Sequence, residues 1–213
     1  MNDSLKEIFY SLDSITFNHS VRVMRISLEV EKFFAFHDHL LSDAALLHDI
    51  GKVFVSSKIL DKKTMLSSLE RNLVDLHPYI GYRILRDHDV DEDICRVVLY
   101  HHGNHPPMLE NIEPSVDDRL YDVSLMLHSI DSFEALTSDR PYHRCYLADE
   151  ALDIMLHEYN HHQGFLDYLI TQAETEESKR KSAVFRSNCI QEVNVSDRFI
   201  YGFKEPLRSA VNG

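Results

Sequence analysis

No stretch of this 213-residue chain is apolar over the ~18 residues that a membrane span needs. The opening MNDSLKEIFYSLDS carries acidic and polar residues where a secretion signal needs basic ones and then an apolar run, so neither membrane nor export is expected. Cysteine is sparse. Cys95, Cys145 and Cys189 are odd in number, far apart and form no CxxC, which argues against a disulfide framework or a thiolate zinc site and fits a reducing cytoplasm. Glycine and proline are scarce too, six of each, too little turn punctuation for many short strands. Basic charge is in deficit: 22 Lys and Arg against 35 Asp and Glu leave a formal charge of -13. A nucleic-acid polymer is therefore not an expected partner, and a phosphorylated ligand must be gripped locally.

What is present favours helices. The chain is 44% hydrophobic, enough for a buried core in one domain, and the expected class is all-α, with five or more core helices over residues 1–175. Apolar periodicity predicts helices over residues 18 to 36 with Asn18 as N-cap, Leu40 to Ile50 with Ser42 as cap and Gly51 as stop, and Ser67 to His77. A short helical piece is expected between Val53 and Lys63. Pro78 opens a further helix through Leu85, and others follow over Asp91 to His102, Val116 to Thr137, Leu147 to Tyr159 and Leu166 to Glu177. Residues 103 to 115 hold three of the six prolines and read as a loop. The 176–213 tail is expected to be an appendage, a charged helix or linker, then one or two short strands where Val193, Val195, Phe199, Tyr201 and Phe203 alternate.

The chemistry lies in histidine and aspartate. Fourteen histidines is a high number for this length, yet His37, His39, His88, His143, His157, His161 and His162 sit among polar residues or near helix ends and read as surface or capping groups. The rest form a pattern. His19, the pair His48 and Asp49, His77, the pair His101 and His102, and Asp131 recur along the chain, each within a segment that reads as helix. Asp131 falls inside an apolar helix, where an unpaired carboxylate costs several kcal/mol and needs a cation or strong donors. His nitrogens with Asp oxygens suit borderline divalent ions, and a carboxylate beside a His can bridge two of them. Two such ions can hold a hydroxide between them and clamp a phosphoryl group, so the chemistry expected is phosphoester hydrolysis. Lys52, Lys58, Lys62 and Lys63 form the most basic neighbourhood, and all but Lys52 read as solvated surface.

The stretches NHSVRV from Asn18, LLHDIGK from Leu46, ILDKKTMLSSLE from Ile59, HPYIGYRIL from His77, HH at 101 and IDSFEALTSDRPYH from Ile130 resemble the HD superfamily of metal-dependent phosphohydrolases, and specifically its HD-GYP branch. The similarity covers residues 15 to 160. It implies an HD-domain helical bundle and a phosphodiesterase of cyclic dinucleotides, cyclic di-GMP first, with a binuclear centre of two divalent transition-metal ions. Fe or Mn are the first choices, and Ni or Zn the alternatives. By position, the metal residues would be His19, His48, Asp49, His77, His101, His102 and Asp131, with Asp49 as the bridge. Lys52 and Arg140 would contact substrate phosphate, and Glu134 would contact substrate or a bound water. A small nucleotide is the implied partner, and a homodimer is compatible with the resemblance.

Two departures from the branch are visible. The paired histidines are followed by Gly103, Asn104, His105, Pro106 and Pro107, so the Gly-Tyr-Pro motif is absent. Ile15 stands where some members carry a glutamate for a third ion, which implies two ions here. His105 reads as solvent-facing. His128, three residues before Asp131, reads as a core histidine or as a group orienting that carboxylate. The altered loop leaves two other readings open: an HD-type phosphohydrolase of another nucleotide or phosphomonoester, and a signalling module that binds metal or nucleotide with little turnover.

Overall fold

The octapeptide LLSDAALL is apolar nearly all round, which in a short helix means burial on every side. In the computed structural model, which describes residues 2–103, 117–138, 145–158 and 160–174, that helix is the centre of the molecule. The described residues contain no strand. Their order is α1 (Asp3–Tyr10), α2 (Ser14–Phe34), α3 (Leu40–Leu47), a 3-10 turn (Ile50–Phe54), α4 (Ser57–Leu60), α5 (Ser68–Asp75), α6 (His77–Asp87), α7 (Glu92–Tyr100), α8 (Asp118–Thr137), α9 (Ala148–Leu156) and α10 (Gln163–Glu174). The fold is all-α as expected. The tail with its expected strands lies outside the described residues, as do Arg140, His105, His143 and Cys189.

Packing follows from which helices are apolar on more than one side. α3 lies against α2, α7 and α8, and α8 also carries α9 and α10. That double load explains why α8 buries Leu120, Met126, Leu127, Ile130 and Phe133, positions that do not fit one narrow stripe. α6 packs on α7 and on the 3-10 turn, while α5 packs chiefly on α6.

Several boundaries differ from the periodicity reading, each for a local reason. α2 begins at Ser14, one turn before Asn18, because the Asp13 side chain accepts hydrogen bonds from the amides of Ile15 and Thr16. His19 therefore sits inside the helix and does not open it. α3 stops at Leu47, so His48 and Asp49 lie just beyond its last turn. Ser42 is not its cap: its amide donates to buried Glu31 Oε1 at 2.8 Å. α1, which the apolar pattern left unassigned, starts from an Asn2 cap and buries Leu5 and Phe9.

Gly51 continues into the 3-10 turn, and its lack of a side chain serves a different purpose from ending α3. A Cβ there would lie 2.1 Å from the His77 carbonyl oxygen and 2.6 Å from the Gly81 amide nitrogen. Gly81 is tight in turn, with Val98 Cγ1 3.3 Å from the place its Cβ would occupy. The two glycines let the backbone after Asp49 touch the backbone after His77.

Candidate metal centre

Helix ends leave carbonyls without intrahelical partners, and three of the candidate histidines use them. His48 and His101 occupy the C-caps of α3 and α7, and His77 follows the C-cap of α5. In each case Nδ1 meets the carbonyl three residues earlier: Ala45 at 2.8 Å, Val74 at 2.7 Å and Val98 at 2.6 Å. A carbonyl oxygen can only accept, so all three rings carry their proton on Nδ1 and turn the Nε2 lone pair inward.

The lone pairs converge. His77 Nε2 and His101 Nε2 are 3.2 Å apart, and His48 Nε2 is buried with no hydrogen-bond partner among the described residues. Asp49 stands between two groups of rings. Its Oδ1 is 3.1 Å from His77 Nε2, while its Oδ2 is 3.4 Å from His48 Nε2 and 3.6 Å from His19 Nε2. Asp131 Oδ1 lies 2.9 Å from His19 Nε2 and 3.9 Å from His48 Nε2. His102 is more exposed, its ring 4.1 Å from that of His101 and 5.1 Å from that of His77.

All seven side chains named from the sequence thus meet in one place. Three sets have ligand atoms within 4.8 Å of one another: His77, His101 and His102; His19, His48 and Asp131; and His48, Asp49 and His101. Donor chemistry fits divalent cations. Burial drives the imidazoles of His48 and His101 below their usual range, His101 strongly, and burial with the neighbouring His77 lowers His102 to about 4, so these rings are neutral near neutrality and each keeps one nitrogen lone pair free. Burial opposes ionisation of Asp49, but the positive charge beside it, with the Lys52 ammonium hydrogen-bonded to its Oδ2, holds the carboxyl well below the usual range. Burial likewise opposes ionisation of Asp131, and the His19 hydrogen bond prevails. Neutral nitrogens facing ionised oxygens in a buried cluster call for positive charge.

The remaining expectations fare differently. Lys52 Nζ donates to Asp49 Oδ2 at 2.7 Å and is partly exposed, at the edge of the cluster. Glu134 does not face open space. It is fully buried behind His19, with Oε2 accepting from His19 Nδ1 at 2.5 Å and Oε1 accepting from Ser138 Oγ at 2.5 Å and from Arg22 Nε. Burial alone would lower the His19 imidazole, but Asp131 and Glu134 raise it to about 9, and Glu134 itself is held down at about 2 chiefly by His19 against its own burial.

Arg22 was not among the candidates, although the signal was there: it follows His19 by three residues, on the same helical face. The His128 ring lies beside the cluster, its centroid 6.1 Å from that of His102. His161, read as a surface group, has a side chain only 1% exposed and stacks on His128 with ring centroids 5.5 Å apart.

The model of the HD domain family matches residues 16–136. The chain is similar to the cyclic di-GMP phosphodiesterase PA4108 of Pseudomonas aeruginosa, 35% identical over 159 residues that cover 70% of this chain and 37% of that protein. It is similar to the 3'3'-cGAMP-specific phosphodiesterase 3 of Vibrio cholerae, 34% identical over 54% of this chain and 25% of the relative. It is also similar to the cyclic di-GMP phosphodiesterase response regulator RpfG of Xanthomonas campestris, 30% identical over 53% of this chain and 30% of the relative. The matched segment therefore spans well under half of each of these relatives. No helix among the described residues is long and apolar enough to cross a membrane.

Proposed function

Because this chain belongs to the HD domain family, in its HD-GYP branch, we propose that it is a metal-dependent phosphodiesterase of cyclic dinucleotides, with cyclic di-GMP as the first substrate to test. One observation carries the metal part of the reading. His77 and His101 each give their Nδ1 proton to a main-chain carbonyl, so two lone pairs point at each other across 3.2 Å. Such a contact is repulsive unless a cation or a proton lies between them, and the convergence of seven His and Asp side chains at this place suits a cation. His19, His48 and Asp131 would hold one ion and His77, His101 and His102 the other, with Asp49 as the bridge; Fe or Mn lead, and Ni or Zn follow.

Divalent ions held by these residues would supply Lewis acidity, activating water and offsetting phosphoryl charge. The chain's own groups do the rest. Asp49 offers one oxygen to each group of histidines, an arrangement that supports a bridging role. Lys52, partly exposed beside Asp49, can turn its ammonium to a phosphate oxygen and offset charge there as the substrate reacts. Arg140, three residues beyond the Ala-Leu-Thr segment, is proposed for a second phosphate contact on the resemblance alone.

Incubation of Mn- or Fe-loaded protein with cyclic di-GMP, followed by chromatography, tests the reading. A linear dinucleotide is expected. Asp49→Ala is expected to lose both turnover and bound metal, by more than the roughly 10- to 100-fold that removal of an outer partner costs. No linear product with either metal overturns cyclic di-GMP as substrate, and full metal retention by Asp49→Ala overturns the centre. The substituted loop after His102 favours a second reading, a different nucleotide in the same site. Including 3'3'-cGAMP and mononucleotides in the assay decides between them.

A further inference from the structure

Four histidines turn an Nε2 toward the cluster, but they are not held in the same way. His48, His77 and His101 sit at helix ends and use carbonyls of the last turn. His19 is in the interior of α2, where the carbonyls of the preceding turn already accept from the helix's own amides. Its ring needs another acceptor. Glu134, one turn beyond Asp131 on α8, provides it at 2.5 Å.

We propose that Glu134 and Arg22 are positioning residues that fix His19 with its proton on Nδ1 and its Nε2 directed at the metal. The inference rests on the metal reading above and extends it to residues that touch neither metal nor substrate. The geometry shows why both are needed. A carboxylate facing His19 with one oxygen leaves the other to be satisfied, and a fully buried oxygen has no solvent to turn to. Arg22 Nε and Ser138 Oγ both donate to that second oxygen, which locks the carboxylate plane and keeps it an acceptor on the His19 side. Arg22 and His19 share a face of α2, so one helix supplies the ring and the clamp on its partner. A carboxylate on the far nitrogen also makes an imidazole a stronger ligand, a gain that a carbonyl gives less fully.

The test combines metal titration with a spectroscopic reading of the ring. Metal-stripped protein is titrated with Mn2+ by calorimetry as wild type, Glu134→Gln, Arg22→Gln, Arg22→Lys and Ser138→Ala, and melting temperature checks that each variant folds. Glu134→Gln offers a single acceptor oxygen to three donors, and its Mn2+ affinity is expected to fall about 10- to 100-fold. Arg22→Gln is expected to fall less and Arg22→Lys to recover part of the loss. In Zn2+-loaded protein the His19 Nδ1 proton should resonate far downfield in wild type and move upfield in Glu134→Gln, a change that a purely structural role would not produce. Should Glu134→Gln fail to fold, Arg22→Gln and Ser138→Ala carry the same comparison. Wild-type affinity and an unmoved His19 proton in the folded variants overturn the inference alone. Failure of wild-type protein to bind Mn2+ or Zn2+ overturns the metal reading with it.

Discussion

The ends of α3 and α7 and the end of α5 present a histidine in the same way, yet they stand on different foundations. α3 and α7 are packed into the core, with Leu46, Leu47, Val97 and Leu99 buried close to their histidines. α5 contains no buried residue at all, and Leu69 on it is 70% exposed. Nevertheless the carbonyl of Val74, in the last turn of α5, sets the proton of His77. The contrast shows that ring orientation and helix burial are separable: a ligand can be aimed by one local hydrogen bond, while the rigidity of that aim comes from what lies beneath the helix. Of the three carbonyl-held rings, His77 has the weaker foundation on that side. Its compensation is the backbone contact of the α6 start with Gly51.

The largest expected effect therefore comes from Gly51→Ala. The added carbon has no flexible side chain to push aside, because its nearest neighbours are the backbone of His77 and Gly81. Overpacking of a tight core costs typically about 1–3 kcal/mol, and a clash against backbone on both sides belongs at the upper end of that range. Urea unfolding should show the loss. Metal affinity should fall as well, since the displacement separates His77 from Asp49, now 3.1 Å apart. A variant with unchanged stability would mean that the 3-10 turn moves freely against α6, and the compensation argued for His77 would be wrong.

The same contrast explains what could be read from the sequence. The seven His and Asp side chains were legible as a set because each is a polar group in an apolar, helix-forming context, and the structure gathers all of them. The all-α class was legible from the scarcity of glycine and proline. Positions relative to helix ends were harder. The reading put His19 at a helix start and His48 in a last turn, whereas His19 is interior and His48 lies just beyond. Periodicity marks the buried face well, but a boundary depends on one cap, here Asp13 in place of Asn18. The resemblance gives Glu134 a contact with substrate or a bound water, and the sequence cannot say which way a carboxylate one turn from Asp131 points. Its direction is decided by Arg22 and Ser138, on α2 and at the end of α8. Arg140 and the loop that replaces the Gly-Tyr-Pro motif lie outside the described residues.

A smaller effect is expected at the other end of α5, where a local device does the work that packing does elsewhere. The Ser67 side chain accepts from the Glu70 amide at 3.3 Å, the Glu70 carboxylate accepts from the Ser67 amide at 2.7 Å, and Lys62 Nζ donates to the same carboxylate at 2.6 Å. Ser67→Ala should cost about 0.5–2 kcal/mol, confined to α5. Hydrogen exchange reads this directly: α5 amides should lose protection while those of α3 and α7 keep theirs.

Acid offers a finer version of the same test. The Lys62 hydrogen bond, followed by the Ser67 contacts, holds Glu70 down at about 2 from an ordinary value of 4.5. A depressed carboxylate contributes stability that is fully present above its unfolded value and is lost as pH falls through the folded one. The difference in α5 protection between wild type and Glu70→Gln should therefore be constant above about 5 and shrink between about 4.5 and about 2. Because Glu70 is on the surface, salt should reduce that difference too. If α5 protection were indifferent to Glu70 at every pH, the helix would owe its order to its contact with α6, and the distinction drawn between the two kinds of helix end would narrow to burial alone.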